Sequence, residues 1–102
     1  MERYSVIVDI EALQDIQEAT NWYNLQVKGL GSRFQKQVKF QIDSLKNDAL
    51  IYTNRYSYVR CMLIKDFPFM VHYVIEEYTS SVTVFAVIHT SKNPKIWQER
   101  NG

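Results

Sequence analysis

His72 and His89, the cations Arg60, Lys65, Lys92 and Lys95, and the thiol of Cys61 are the side chains of this chain that could do chemistry. His72 lies between Val71 and Tyr73, and His89 ends the last apolar run of the sequence. Each falls on the strand face opposite the more regularly apolar set. Both are therefore expected on the open side of a sheet, where imidazole can serve as general acid or base near neutral pH. The plain alternative is a histidine hydrogen-bonded at the edge of the core. Arginine and lysine on the same face could stabilise charge on a phosphate, and Tyr73 or Trp97 could stack a base. Together these would be the parts of a metal-free RNA-cleaving site. They are equally the parts of an ordinary charged surface.

Other chemistries find little support. The histidines have no carboxylate at ligand spacing, so no metal site is expected. Cys61 is the single cysteine, which excludes an internal disulfide and a cysteine-based zinc cluster. Its place inside a predicted strand makes it a small apolar filler. Ser80 and Ser81 have no histidine at a telling spacing. Glu76 and Glu77 are neighbours in a predicted turn and read as a solvated tip. With three glycines in the whole chain there is no phosphate-cradling loop, and no cofactor is expected.

The elements that must position these residues can be read from periodicity. Arg3 to Val8 alternates and reads as a first strand. Asp9 offers an N-cap oxygen to a helix over residues 10–27, with Leu13, Ile16, Tyr23 and Val27 at helical spacing beside Ala12 and Ala19. Lys28-Gly29-Leu30-Gly31 breaks that helix, and both glycines tolerate positive φ. Ser32 and Gln35 form a capping-box pattern for a second helix over 32–46, its face marked by Phe34, Val38, Ile42 and Leu45. Residues 47–57 read as an irregular surface loop. Strands follow over 58–64, 69–75 and 82–88, with antiparallel pairing favoured by the short connections. Asn93-Pro94 reads as the start of a short C-terminal helix carrying Lys95, Ile96 and Trp97. The expected fold class is α+β: a β-α-α-β-β-β antiparallel sheet with a helical hairpin on one face, and a single domain over residues 1–102.

Charge is balanced overall, with a formal net charge of +1, which is not the strongly basic balance of a general nucleic-acid binder. It is unevenly placed, however. Glu11, Asp15 and Glu18 mark the first helix; Arg33, Lys36 and Lys39 mark the second. That pattern fits two solvated faces or a basic ridge for an acidic partner. The N-terminus reads as lacking the apolar core of a signal peptide, and no apolar run approaches the ~20 residues that cross a bilayer. A soluble, cytoplasmic protein is expected, with no membrane partner.

Several of these pieces, taken in order, resemble the RelE/ParE superfamily of small bacterial toxins. They are the Asp15-Ile16-Gln17-Glu18…Trp22-Tyr23 helix and the Gly31…Phe34 start of the second helix. Arg60 precedes Phe67-Pro68-Phe69, which runs into His72-Tyr73; His89 precedes Lys92-Asn93-Pro94; Trp97 and Arg100 close the pattern. The resemblance implies the toxin of a type II, plasmid-stabilisation-type toxin–antitoxin pair, neutralised by a cognate antitoxin that wraps over helices and sheet. RelE-type members cut messenger RNA on the ribosome without metal, and ParE-type members poison DNA gyrase. A RelE-type site here would draw on Arg60, His72, His89 and Lys92. Met70 stands where the resemblance puts a catalytic arginine, and Trp97 stands near the expected tyrosine. Tryptophan has no titratable hydroxyl. The resemblance is therefore closer to the ParE-like branch, which is not enzymatic and uses its C-terminal tail. In that reading Lys92, Lys95, Trp97 and Arg100 contact the target. A toxin-derived binding module without activity is the third possibility.

Overall fold

The computed structural model describes residues 3–92. Its elements in chain order are β1 (Ser5–Val8), α1 (Ile10–Gln26), α2 (Leu30–Asp48), a 3-10 turn (Ala49–Ile51), β2 (Asn54–Tyr56), β3 (Val59–Leu63), β4 (Phe69–Glu76) and β5 (Ser81–His89). The strands form one sheet in the order β1-β5-β4-β3-β2. The α+β class and the helical hairpin agree with expectation. The sheet differs in two respects: it gains the short strand β2 where a loop is expected, and it is mixed, because β1 pairs in parallel with β5, Ser5 opposite Ser81 and Val8 opposite Val84. The α1–α2 hairpin carries the chain across one sheet face before the meander β2–β5 returns it beside β1. A crossover of that length allows a parallel pair.

The helices form where apolar residues recur at three- and four-residue steps. Ile16 and Tyr23 of α1 and Phe34, Val38, Ile42 and Leu45 of α2 are buried together against Met62, Val71, Tyr73, Val82, Val84 and Val87 of the sheet. Leu13 and Val27 share the spacing but remain exposed. Asp9 sits at the N-cap of α1 in an extended conformation, without the expected side-chain capping bond.

Between the helices the two glycines act differently. Gly29 alone takes positive φ (+86°) and is the N-cap of α2. Gly31 lies inside α2, because the helix starts at Leu30 rather than at Ser32, and the Ser32/Gln35 capping box does not form. An Asn24 side-chain oxygen instead accepts the Gly31 N–H at 2.8 Å, satisfying one of the orphan donors of the first turn. Gly31 is required for contact, not for φ: a Cβ there would run into the Thr20 carbonyl oxygen and the Asn24 side chain.

With so few glycines, the hairpin turns use Ser57, Asp66 and Ser80 at positive φ. A short polar side chain tolerates this conformation better than a bulky one does. A bulge lies between β4 and β5, where His72 faces Ala86 but Tyr73 faces Val84, leaving Phe85 as the extra residue. It reverses the alternation of β5 partway along its length.

Candidate functional site

The bulge decides where the two histidines lie. Val82, Val84 and Val87 point to the helices, while Phe85, Ala86 and Ile88 pack on the opposite face. His89 therefore returns to the helix side, where its ring stacks edge-on to Phe69 at 5.3 Å. Its Nδ1 accepts hydrogen bonds from the Ser91 amide (3.1 Å) and lies 2.8 Å from the Ser91 hydroxyl. His72 is on the other face, as expected, but is fully buried. Its Nδ1 lies 3.2 Å from Cys61 Sγ and 3.4 Å from Tyr56 Oη. The expectation that both histidines share one open surface is thus corrected. Strict alternation holds for β4 and fails after the bulge in β5.

Arg60 is also differently employed. Its guanidinium Nη1 donates to the carbonyls of Tyr52 (2.6 Å) and Leu50 (3.3 Å), just beyond α2. Tyr73, its cross-strand partner, donates its hydroxyl to the Ala49 carbonyl at 2.6 Å. Tyr73 is fully buried under the helices, so it cannot stack a base. Burial pushes its phenol well above the ordinary tyrosine range, with Arg60 pulling the other way. Arg60 and Tyr73 are a clamp on the chain leaving α2. Phe69, opposite His89, and Tyr73, opposite Arg60, are four residues apart along β4. That is a separation of roughly 13 Å. The four candidate ribonuclease residues accordingly fall in three places: Arg60 at the clamp, His72 inside the far face, and His89 with Lys92 at the end of β5.

The end of β5 is where a groove opens. About 690 Å³ is enclosed between α1 and the sheet by Asp15, Glu18, Trp22, Phe69, His89 and Lys92, among others. Trp22 is exposed there. Asp15, which reads as a surface charge, accepts the Val87 amide at 3.0 Å on the edge of β5 that β1 leaves open. Nothing in its sequence context marks that role. Lys92 is exposed, and its amide donates to the His89 carbonyl at 3.0 Å. The other tail residues of interest, Lys95, Trp97 and Arg100, lie outside the described residues, as does the expected C-terminal helix.

On the far face, Cys61 is buried and its thiol is pushed up to about 11 by that burial, against a lowering by Arg55. This is the signature of a filler rather than a nucleophile. Met70, the position of the expected arginine, is buried in the same cluster. Glu76 and Glu77 do not converge: Glu76 accepts the Tyr78 amide at 3.1 Å, and Glu77 accepts the Tyr4 hydroxyl at 2.8 Å. Among the described residues no group of three His, Cys, Asp or Glu could hold a metal ion. No described helix is long and apolar enough to cross a membrane.

The sequence matches no protein-family model and no curated protein. Solved structures do match. The chromosomal ParDE toxin–antitoxin system of P. aeruginosa contains a chain that superposes with a TM-score of 0.75 at 13% identity, over 85% of this chain and 96% of that one. A double-substituted variant of the E. coli toxin RelE in the free state gives 0.71 at 14% identity, over 99% and 96%. The RelBE2 toxin–antitoxin complex of Mycobacterium tuberculosis gives 0.60 at 14%, over 90% and 97%. At such identities the likeness is one of architecture. It covers nearly the whole of each partner, and on it the chain has the fold of the RelE/ParE superfamily.

Proposed function

We propose that this chain is the toxin of a type II toxin–antitoxin pair, acting in the ParE manner: a cytoplasmic, non-enzymatic inhibitor of DNA gyrase, silenced by a cognate antitoxin. The fold shared with ParDE, RelE and RelBE2 chains supports the toxin reading and an antitoxin partner. Fold alone does not choose the target. The observation that carries the choice is the scatter of Arg60, His72, His89 and Lys92. General acid–base cleavage needs its groups within hydrogen-bond reach of one reacting centre. Here the Arg60 guanidinium is committed to the Tyr52 and Leu50 carbonyls and His72 is fully buried on the other sheet face. Lys92, with Lys95, Trp97 and Arg100 beyond it, is the segment assigned to the target.

The test is controlled induction in a bacterium lacking the antitoxin, scoring growth, the DNA-damage response and message integrity together. Arrest with filamentation and damage signalling is the expected result. Arrest with cleaved messages and no damage signal would replace gyrase with the ribosome as target. Normal growth despite abundant soluble protein would leave a binding module. A chain truncated before Lys92 should lose toxicity while still binding the antitoxin; full toxicity would remove the tail from the mechanism.

A further inference from the structure

The cations of α2 are used neither by the clamp nor by the tail. Lys28, Arg33, Lys36 and Lys39 are all exposed. Between Glu18 and Asp43 the chain holds no carboxylate, so residues 19–42 carry a charge of +4 while the whole chain carries +1. Positive charge is thus gathered on the turn between the helices and the first half of α2. An ion pair of α2, Lys46 with Asp43 at 3.3 Å, lies beyond this stretch, and among the described residues none of the four cations is ion-paired. Residues three apart on a helix are neighbours, and like charges there are mildly unfavourable. A partner that brings negative charge would relieve that repulsion.

Among these cations stands Phe40, 72% exposed. It is two residues from Val38 and two from Ile42, both buried in the core. Two residues are about 200° of helix, so the ring points away from the core. Arg33, Lys36 and Phe40 follow one another at three- and four-residue steps and form one line along the helix, roughly 10 Å long, with Lys39 beside it. The line is held in place from the side. Gln41 Nε2 donates to the Leu63 carbonyl at 3.0 Å, and its Oε1 accepts the Lys65 amide at 2.8 Å and the Gln37 side-chain amide at 2.7 Å. This fastens α2 to the end of β3 next to Phe40. One exposed apolar residue is ordinary. An aromatic ring set in a line of unpaired cations offers charge for phosphates and a face for a base.

We propose that this line is a binding surface for single-stranded nucleic acid, with phosphates on Arg33, Lys36 and Lys39 and a base stacked on Phe40. An acidic protein segment would satisfy the cations, but its carboxylates give the ring no flat partner. A nucleic-acid strand presents a phosphate and a base at every residue. Binding should be tolerant of sequence. Gln37 and Gln41, the amide side chains next to Phe40, are bonded to each other and to the β3–β4 turn, so neither is left to read base edges. The surface is independent of the gyrase reading: it uses no residue of the tail, and the failure of either leaves the other in place.

The test is fluorescence anisotropy of a labelled mixed-sequence single strand, as DNA and as RNA, titrated with the purified full chain between about 50 and 200 mM salt. The logarithm of the affinity should fall against the logarithm of the salt concentration with a slope of about −2, from about −0.7 for each phosphate neutralised by Arg33, Lys36 and Lys39. Lys36→Gln should make that slope shallower by about 0.7. Phe40→Ala should weaken binding about fivefold to a hundredfold and leave the slope as it is, because stacking releases no counterions. Phe40→Leu, which keeps an apolar side chain without the flat ring, should behave in the same way. Urea midpoints equal to the parent's would show that these surface variants are folded. Absence of binding at the lowest salt would overturn the proposal. So would Phe40 variants that bind as the parent does, which would reduce the line to a general attraction for anions. Displacement of the strand by polyglutamate at an equal concentration of charge would overturn it as well, by giving the surface to an acidic protein.

Discussion

On the helix-covered face of the sheet, two polar side chains end on backbone groups of another element. The Tyr73 hydroxyl takes the Ala49 carbonyl, and the Asp15 carboxylate takes the Val87 amide. On the other face, Cys61 and Tyr56 each approach the Nδ1 of His72, at 3.2 and 3.4 Å. The first kind of contact fixes where one element stands relative to the next, and its loss strands a buried backbone group. The second kind joins side chains of strands that the ladder already holds in register. Residue type does not separate the two cases, since Arg60, Tyr73 and His72 all look catalytic on paper. What separates them is whether a polar atom is spent on holding the fold.

The largest effect should come from the helix side. Gly31→Ala places a methyl against the Thr20 carbonyl and the Asn24 side chain of α1. The contact is with backbone, which cannot rotate away, so a loss of about 3 kcal/mol or more is expected, at the upper end for overpacking. Urea unfolding would measure it. A variant within half a kcal/mol of the parent (roughly the scatter of surface changes) would mean that the hairpin is looser than its geometry states.

Next comes the clamp. Tyr73→Phe leaves the buried Ala49 carbonyl without its donor, and Arg60→Ala removes the donor to Tyr52 and Leu50. Each should cost about 1–3 kcal/mol. Should Arg60→Ala instead keep full stability and lose toxicity, Arg60 would be a functional residue after all, and the contrast between the faces would fail on that side.

How far the sequence could be read follows the same division. Helical periodicity found Ile16, Tyr23, Phe34, Val38, Ile42 and Leu45, because burial on one helix face leaves a local trace. The same rule overreached at Leu13 and Val27, which have the spacing but no element above them. The β1–β5 pair was hidden because it joins residues some 75 positions apart in the register Ser5 to Ser81, and no local pattern encodes a partner at that range. Asn54-Arg55-Tyr56 reads as loop by composition; pairing with β3 makes it a strand. The bulge at Phe85 left no mark either, since Val84-Phe85-Ala86-Val87 is apolar whichever way each residue points. That one unseen residue put His89 on the wrong face, and with it the expectation of a shared histidine surface.

A smaller effect should separate the far face. His72→Phe keeps the ring volume and removes the imidazole contacts to Cys61 and Tyr56. Because those contacts join side chains and are long, the expected cost is under about 1.5 kcal/mol, the range for volume-conserving core changes. A loss as large as that of Tyr73→Phe would show that the thiol–imidazole–phenol cluster holds the strands together. The two faces would then be alike.

The finest distinction is in alkali. Burial raises the Cys61 thiol from 9.0 to about 11, so between those values the folded chain holds a proton that the unfolded chain has released. Stability must then fall as pH rises through that window, at no more than about 1.4 kcal/mol per pH unit for one site. Tyr56 and Tyr73 are also raised by burial, but from 10.0, so their contribution begins about a unit later. Cys61→Ala removes the earlier part alone. Urea midpoints between pH 8 and 10 should decline in the parent and stay nearly level in the variant, with both falling above that range. If the two chains declined together from pH 9, the thiol would be ionising as freely folded as unfolded. It would then be in contact with water in the folded chain.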